Sequence, residues 1–447
     1  TFTRPVADIR VGILTIREKW EKYLGYTTTT LTEEYLSEKF PMVEMEDNVM
    51  VNASFLPNEV LVELVKSLEK NQAIFQGDEV VAFYTNDTQE EVDFDAYEII
   101  EYTEEGLKIE HTWDIFAKND AALREDFELI TEDRHSQPIP KSVNVIAPEN
   151  IFIEEGAKLE FVTLNASTGP IYIGKNAEIM EGSVIRGPFA LCESGRVKLA
   201  TKVYGATTVG PHSVIGGEVS NSVLMGYSNK GHDGFLGNAV LGEWCNIGAD
   251  SNNSNLKNNY EEVRLWSYET EGFARTGLQF CGLMMGDHSK CGINTMFNTG
   301  TVVGVGANVF GDGYPRNFIP SFSWGGAAGF FCAIQIAELH PDWKITIVEK
   351  TSKLLSKVRV SGGGRCNVTH ACPEVDQLIK KYPRGQRFLK KSFYQFATLH
   401  TIDWFAKNDV KLHTEKDGRM FPITNDSETI VACFMKKVNQ YKNLHHQ

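Results

Sequence analysis

Between residues 173 and 215 an aliphatic side chain falls on every sixth position without a break: Ile173, Ile179, Ile185, Leu191, Val197, Val203, Val209 and Ile215. A helix repeats near every 3.6 residues and a half-buried strand every second one, so neither produces this spacing. A β-helix does, because its short strands stack coil on coil and each places one aliphatic side chain on the interior axis. Gly follows directly in Ile173-Gly174, Val209-Gly210 and Ile215-Gly216. An ordinary β-sandwich would not hold one period through eight consecutive matches. The register weakens between Tyr227 and Gly234, where a loop is expected to leave the coil. It returns at Leu241 and Ile247, and again at Met285, Cys291, Phe297, Val303 and Val309.

The flanks have other periods. Residues 1–140 mix helical spacing, in "ILTIREKWEKYL" and "NEVLVELVKSLEKNQ", with strand-like runs, "NVMVNASFL" and "EVVAFYT". Such alternation predicts an α/β domain with a partly parallel sheet. After Gly329 the six-residue period vanishes. There "FFCAIQIAELHP" reads as an apolar helix, "KITIVEK" as a buried strand ending in an acid, and "SGGGRCNVTH" as a Gly-rich loop, the parts of a Rossmann-type βαβ unit. The expected fold class is therefore mixed: an α/β domain (1–140), a left-handed parallel β-helix of hexapeptide repeats (141–326) and a truncated Rossmann-like α/β segment (327–447).

Charge follows the same division. The chain carries a net −15, yet residues 330–447 hold 19 Lys and Arg against 11 Asp and Glu. Such a break marks a domain boundary. The basic residues are scattered among apolar ones without an aromatic platform, which argues against nucleic acid. No apolar run approaches the ~20 residues that span a bilayer. The start "TFTRPVADIR" lacks a basic segment followed by an apolar one, so no signal peptide is expected, and without an initiating Met the chain reads as a fragment or a processed product. The eight cysteines form no CxxC pair and read as reduced, mostly buried thiols of a cytoplasmic protein.

The stretch "NKGHDGFLGNAVLGEWCNIGADSNNSNLKNNY", residues 229–260, resembles the acetyltransferase half of the bifunctional N-acetylglucosamine-1-phosphate uridyltransferase / glucosamine-1-phosphate acetyltransferase. That family shows a Gly-His pair, a Leu-Gly step, Asn-Ile-Gly-Ala and an Asn-rich loop at this spacing. Residues 1–326 are more similar still to a Bacteroidetes-type branch of related sugar nucleotidyltransferases, as in "GPIYIGKNAEIMEGSVIRGP" and "TGLQFCGLMMGDHSKCGINTMFNTGTVVG". The resemblance implies acyl transfer from acetyl-CoA to an amino-sugar phosphate, or work on a sugar nucleotide, within a homotrimer. His232 aligns with the family's catalytic His, and Asp233 could orient its imidazole; the bland alternative is a turn residue. A His suits the chemistry, since it takes an ammonium proton near neutral pH. Asn246 and Asn255 match positions that hold the sugar phosphate and the acyl carrier, and Ala249 a backbone contact to coenzyme A. Lys257 lies one turn from the family's phosphate-binding Lys. His288 reads as a structural loop residue.

The nucleotidyltransferase pattern opens with a strand, a GxGxR loop and a basic residue beside Pro, of which "TFTRPVADIRVG" keeps only Arg4-Pro5. Arg4 and Arg10 are candidate phosphate contacts, with salt links to an acidic domain as the alternative. From Gly325 onward, "GGAAGFFCAI", "VEKTSKLLSKVRVSGGGRCNVTH", "YPRGQRFLKKSF" and "DGRMFPITNDSETI" resemble the N-terminal part of aminoacetone-oxidase-like FAD-dependent oxidoreductases. That resemblance implies Gly326, Gly329 and Glu349 as FAD contacts. "SWGGAAGF" is then a seam between two families, with Trp324 where the dinucleotide fingerprint needs its first Gly and Pro320 where its strand should run; FAD is expected to be lost. No metal site is expected. The expected function is that of an acyltransferase of the sugar-nucleotide pathway; the alternatives are an FAD-dependent oxidoreductase fragment fused to a β-helix, and an inactive β-helix scaffold.

Overall fold

The computed structural model describes residues 2–43, 45–86, 92–104, 106–310, 313–323, 327–347, 354–381 and 386–446. The chain divides into two compact units, Thr1–Ser323 and Trp324–Gln447.

The first unit is built around a parallel β-solenoid of about ten turns. One face is a nine-stranded sheet running from Ile151–Ile153 to Phe318–Ile319. A second face has six strands, from Asn144–Ile146 to Phe235–Gly237, and a third has five, from Lys158–Leu159 to Asn229–Lys230. The residues of the six-residue period all point inward and are buried, those from Ile173 to Ile215 at most 2% exposed. Register explains the period: Ile173 pairs with Leu191, and Leu191 with Val209, so one coil takes eighteen residues, six per face. Corners turn on left-handed backbone, as at Asn176, Ser194 and His212.

The expected departure of a loop between Tyr227 and Gly234 is not found. That stretch stays in the solenoid, with strands at Val223–Gly226, Asn229–Lys230 and Phe235–Gly237. The period fails there because the coil shortens: Val209 pairs with Leu224, fifteen residues on. The true excursion comes later, between the paired residues Leu241 and Met285. It carries an antiparallel hairpin, Arg264–Ser267 with Gly272–Arg275.

The amino-terminal residues form a four-stranded sheet in the order Asn48–Val51, Glu79–Thr85, Gln72–Gln76, Glu98–Glu101, antiparallel except for its last pair. The helix Ile16–Leu24 begins on a capping box, Thr15 accepting from the Glu18 amide while the Glu18 carboxylate accepts from that of Thr15, and it ends on left-handed Gly25. This region shares a core with the solenoid. Ile9, Val11, Trp20 and Phe55 pack with Val223, Val240, Met284 and Val302, the outward side chains of the nine-stranded sheet. Burial of each such side chain is worth roughly 1.5–3 kcal/mol, so this face of the solenoid is completed by the amino-terminal region.

The second unit has its own core of Phe330, Ile334, Val358, Phe405 and Phe434. The expected helix is Ala327–Leu339. The expected strand is Ile345–Ile347, paired in parallel with Leu444–His446. It is not buried as the sequence suggests: Ile345 and Ile347 are half-buried and Thr346 is exposed, because among the described strands it has one neighbour. The Gly-rich stretch breaks the helix that begins at Ser356: the backbone is non-helical at Ser361, Gly362 and Gly363, and left-handed at Gly364 and Cys366. All eight cysteines are free, Cys332 exposed and the others buried. No described helix is long and apolar enough to cross a membrane.

Candidate functional site

His232 lies on the corner between the strands Asn229–Lys230 and Phe235–Gly237. It and Asp233 are exposed, while Lys230 and Gly231 on one side and Leu236 on the other are buried. The coil above holds this corner by backbone bonds. The Asp250 amide donates to the Asp233 carbonyl at 3.1 Å, and the Asn294 amide to that of Ala249 at 2.8 Å. His232, Ala249 and the Gly292–Asn294 turn thus stand on successive corners of one edge. The coil below is tied in as well, since the Glu218 amide donates to the Gly234 carbonyl at 3.2 Å.

The Asn-rich segment works as a brace. Asn252 Oδ1 accepts from the Phe235 amide at 2.8 Å, and Asn253 exchanges two bonds with Gly237, at 2.8 and 2.9 Å. These side chains take the place of a backbone ladder, a role the sequence reading did not assign. Asn246 accepts from Asn229 Nδ2 at 2.9 Å, placing it directly over the strand that leads into the His232 corner. Asn255 lies on the next corner, where its Nδ2 donates to Asn238 Oδ1 at 2.8 Å.

Lys257 is farther along. Its ammonium donates to the Glu262 carbonyl at 2.7 Å, and it lines a cavity of about 540 Å³ with Glu261, Glu262, Arg264 and Arg275. Arg4 is buried at 7% exposure, with its guanidinium 3.0 Å from Glu243 and also on Asp287. Burial alone would raise the Asp287 pKa, but Arg4, Thr3 and the Glu243 amide outweigh it and hold that carboxyl below its ordinary value. Arg10 donates to the carbonyls of Met225, at 3.1 Å, and Ile13, and sits 3.6 Å from Glu18. Both arginines therefore have internal acceptors, in the manner of the salt-link alternative. His288 is a corner residue whose ring lies parallel to that of Trp244, at the end of a stack that runs His212, Tyr227, Trp244, His288.

One functional candidate escaped the sequence reading. Lys230 occupies an interior position of the solenoid, in register with Ile215, and is 1% exposed. Its ammonium donates to the Gly216 carbonyl at 3.0 Å and to that of His232 at 2.5 Å. Burial lowers its pKa to about 8, against the opposing pull of Asp233 and Cys291. The only signal in the sequence was a Lys beside the Gly231-His232 pair, and the six-residue count, out of phase there, did not mark it as interior.

Of the residues expected to face FAD, Gly326 and Glu349 lie outside the described residues, as does Trp324 at the seam. Gly329 is in the first turn of the helix Ala327–Leu339. A dinucleotide cradle needs a strand feeding the glycine turn at the start of such a helix. The strand preceding it in the chain, Phe318–Ile319, is bonded to Thr301–Val303 within the solenoid. Among the described residues no strand feeds the start of this helix. Among the described residues no cluster of His, Cys, Asp and Glu could hold a metal ion.

Comparison with known proteins follows the same division. A sugar nucleotidyl transferase family model matches residues 1–135, and an HI0933-like protein Rossmann domain model matches residues 324–446. The chain thus joins a sugar-nucleotidyl-transferase-like N-terminal segment to an HI0933-like Rossmann segment. A ribosomal RNA dihydrouridine synthase of Haemophilus influenzae is 28% identical over 116 residues, 26% of this chain and 27% of that protein. An uncharacterized acetyltransferase, YaiX of Escherichia coli O6:K15:H31, is 24% identical over 144 residues, 32% of this chain. The chain spans 27% and 62% of the lengths of these two relatives. The crystal structure of the polySia-specific acetyltransferase NeuO matches 40% of this chain and 79% of its own at 12% identity, with a TM-score of 0.16.

Proposed function

We propose that the solenoid transfers an acyl group from acyl-CoA, acetyl-CoA in the simplest case, to the amine of an amino-sugar phosphate, with His232 as the base. The amine nitrogen attacks the thioester carbonyl, a C–N bond forms and the C–S bond breaks. His232 takes the proton that nitrogen loses, and the departing thiolate recovers one. The observation that carries this reading is an exposed imidazole on a corner tied to the coils above and below. A base held in that way needs little reorganisation at the moment of transfer. The similarity of part of the chain to an acetyltransferase supports it. Asn246 and Ala249, on the same coil as one another and just above His232, are the proposed contacts to sugar phosphate and acyl carrier. Asn255 and Lys257 lie one corner farther on and would meet a longer part of either substrate.

A nucleotidyl-transfer step in the amino-terminal region is the finer part of this proposal, and Arg4 and Arg10 enter it only by giving up internal partners. A homotrimer belongs to the proposal too: with the nine-stranded face covered, the other two faces are where copies would meet. His232→Ala should lower acetyl-CoA-dependent turnover of glucosamine-1-phosphate by ~100-fold or more with the melting temperature unchanged. Equal turnover in variant and parent would leave the inactive scaffold as the better reading.

A further inference from the structure

The third face of the solenoid presents one column of inward side chains. Read along the paired strands it runs Leu159, Ile179, Val197, Ile215, then Lys230. Beyond it the column continues through the bridge of Asn229 to Asn246 and that of Asn246 to Lys290, which brings Ile247, Cys291 and Val309 into line. Lys230 is the one cation in an otherwise apolar column. An ammonium taken out of water is costly unless its donors find acceptors. Among the described residues no carboxylate is paired with it. Its acceptors are two main-chain carbonyls, one in the coil below and one on its own corner, at His232.

That pairing has a geometrical result. Gly231 lies between Lys230 and His232, and by itself would leave the chain free to rotate at the point where it quits the strand. The ammonium closes this stretch into a small ring with the Gly216 carbonyl as a second anchor. We propose that Lys230 is a positioning residue: from inside the solenoid it fixes the main chain of His232 and so the direction in which that imidazole leaves the corner. The proposal rests on the acyl-transfer reading for what the imidazole does, but not for where it points. The charged and titratable groups facing Lys230 are Asp233 from its own corner and Cys291 from the strand Lys290–Cys291. A void of about 10 Å³ beside it is bordered by Phe235, Ile247, Ser251 and Asn253. With its pKa near 8, the ammonium loses a proton within the range where the enzyme can be assayed. The clamp should then weaken as pH rises through that value.

The test uses the full chain and the variant Lys230→Met, an unbranched apolar side chain suited to an apolar column, with Lys230→Gln, which keeps one N–H donor, as the second variant. Acetyl-CoA and glucosamine-1-phosphate are the probes. Turnover of Lys230→Met should fall roughly tenfold with KM for acetyl-CoA within about twofold, and Lys230→Gln should fall between it and the parent. Histidine labelled with ¹³C supplies a readout independent of activity. In the parent, the His232 ring resonance should carry, apart from the imidazole's own protonation, a further step near pH 8 that reports Lys230; in Lys230→Met that further step should vanish. A folded Lys230→Met with parental kcat, or a His232 resonance identical in position and pH response in both proteins, overturns the proposal. If His232→Ala proves fully active, the acyl-transfer reading falls and the resonance alone still decides the clamp.

Discussion

Exchanging Lys19 for Met tests how the amino-terminal region is fastened to the solenoid. Lys19 is 3% exposed and Asp126, its ion-pair partner, 2%. The carboxylate also accepts from the amides of Ile13, at 2.7 Å, and Leu14, at 2.9 Å. One residue earlier, Gly12 is held by Asn119 Oδ1 at 2.7 Å and by the Thr208 hydroxyl of the solenoid at 2.8 Å. Removing one partner of a buried pair leaves an uncompensated charge and costs about 3–5 kcal/mol. In Lys19→Met/Asp126→Asn the amide oxygen still accepts from both backbone donors. The loss then reduces to weaker acceptor strength, about 1–2 kcal/mol. Hydrogen exchange read by mass spectrometry on peptides covering residues 10–24 and 119–131 measures the local opening free energy. The single variant should exchange roughly 10²- to 4 × 10³-fold faster there, and the double variant should recover most of that loss. Burial raises the Asp126 pKa, so the lone carboxyl of the single variant binds a proton more readily folded than unfolded. Its deficit should therefore grow as pH rises and shrink as pH falls. Exchange within threefold of the parent, or a double variant no better than the single, would refute the argument.

Two further outcomes are expected. Gly234 adopts φ +116, and a Cβ there would lie 2.2 Å from the Ser251 carbonyl oxygen; Gly234→Ala should lower the melting temperature by roughly 4–10 °C and depress turnover with it, checked by a thermal melt beside the assay. Light scattering of the full chain at micromolar concentration should report three times the chain mass, and a monomer would remove the trimer from the proposal.

The interior of the solenoid was legible because a rigid coil of eighteen residues writes itself as a repeat, and Ile173, Leu191 and Val209 need only be counted. The same counting misread residues 227–234. Shortening a coil from eighteen residues to fifteen, as between Val209 and Leu224, moves the phase without interrupting the architecture. A hydrophobic count also cannot register Lys230, since the property that makes it informative is the charge that removes it from the pattern. His232 was singled out by motif spacing, whereas the bracing by Asn252 and Asn253 was not, because a side chain standing in for a backbone ladder leaves no period. In the second unit, "KITIVEK" has the composition of a central strand; only its pairing, set by which neighbours the chain supplies, leaves Thr346 exposed.

The apolar underside shared by the amino-terminal region and the nine-stranded sheet bears on how such a chain can change over evolutionary time. Val223, Val240, Met284 and Val302 are suited to a cover, not to water, so deleting the cover would leave a sticky stripe along the solenoid. Mutations of the region's solvent-exposed side chains do not touch the stripe. Selection can then retain the region for its footing alone, long after any reaction it once performed has ceased to matter.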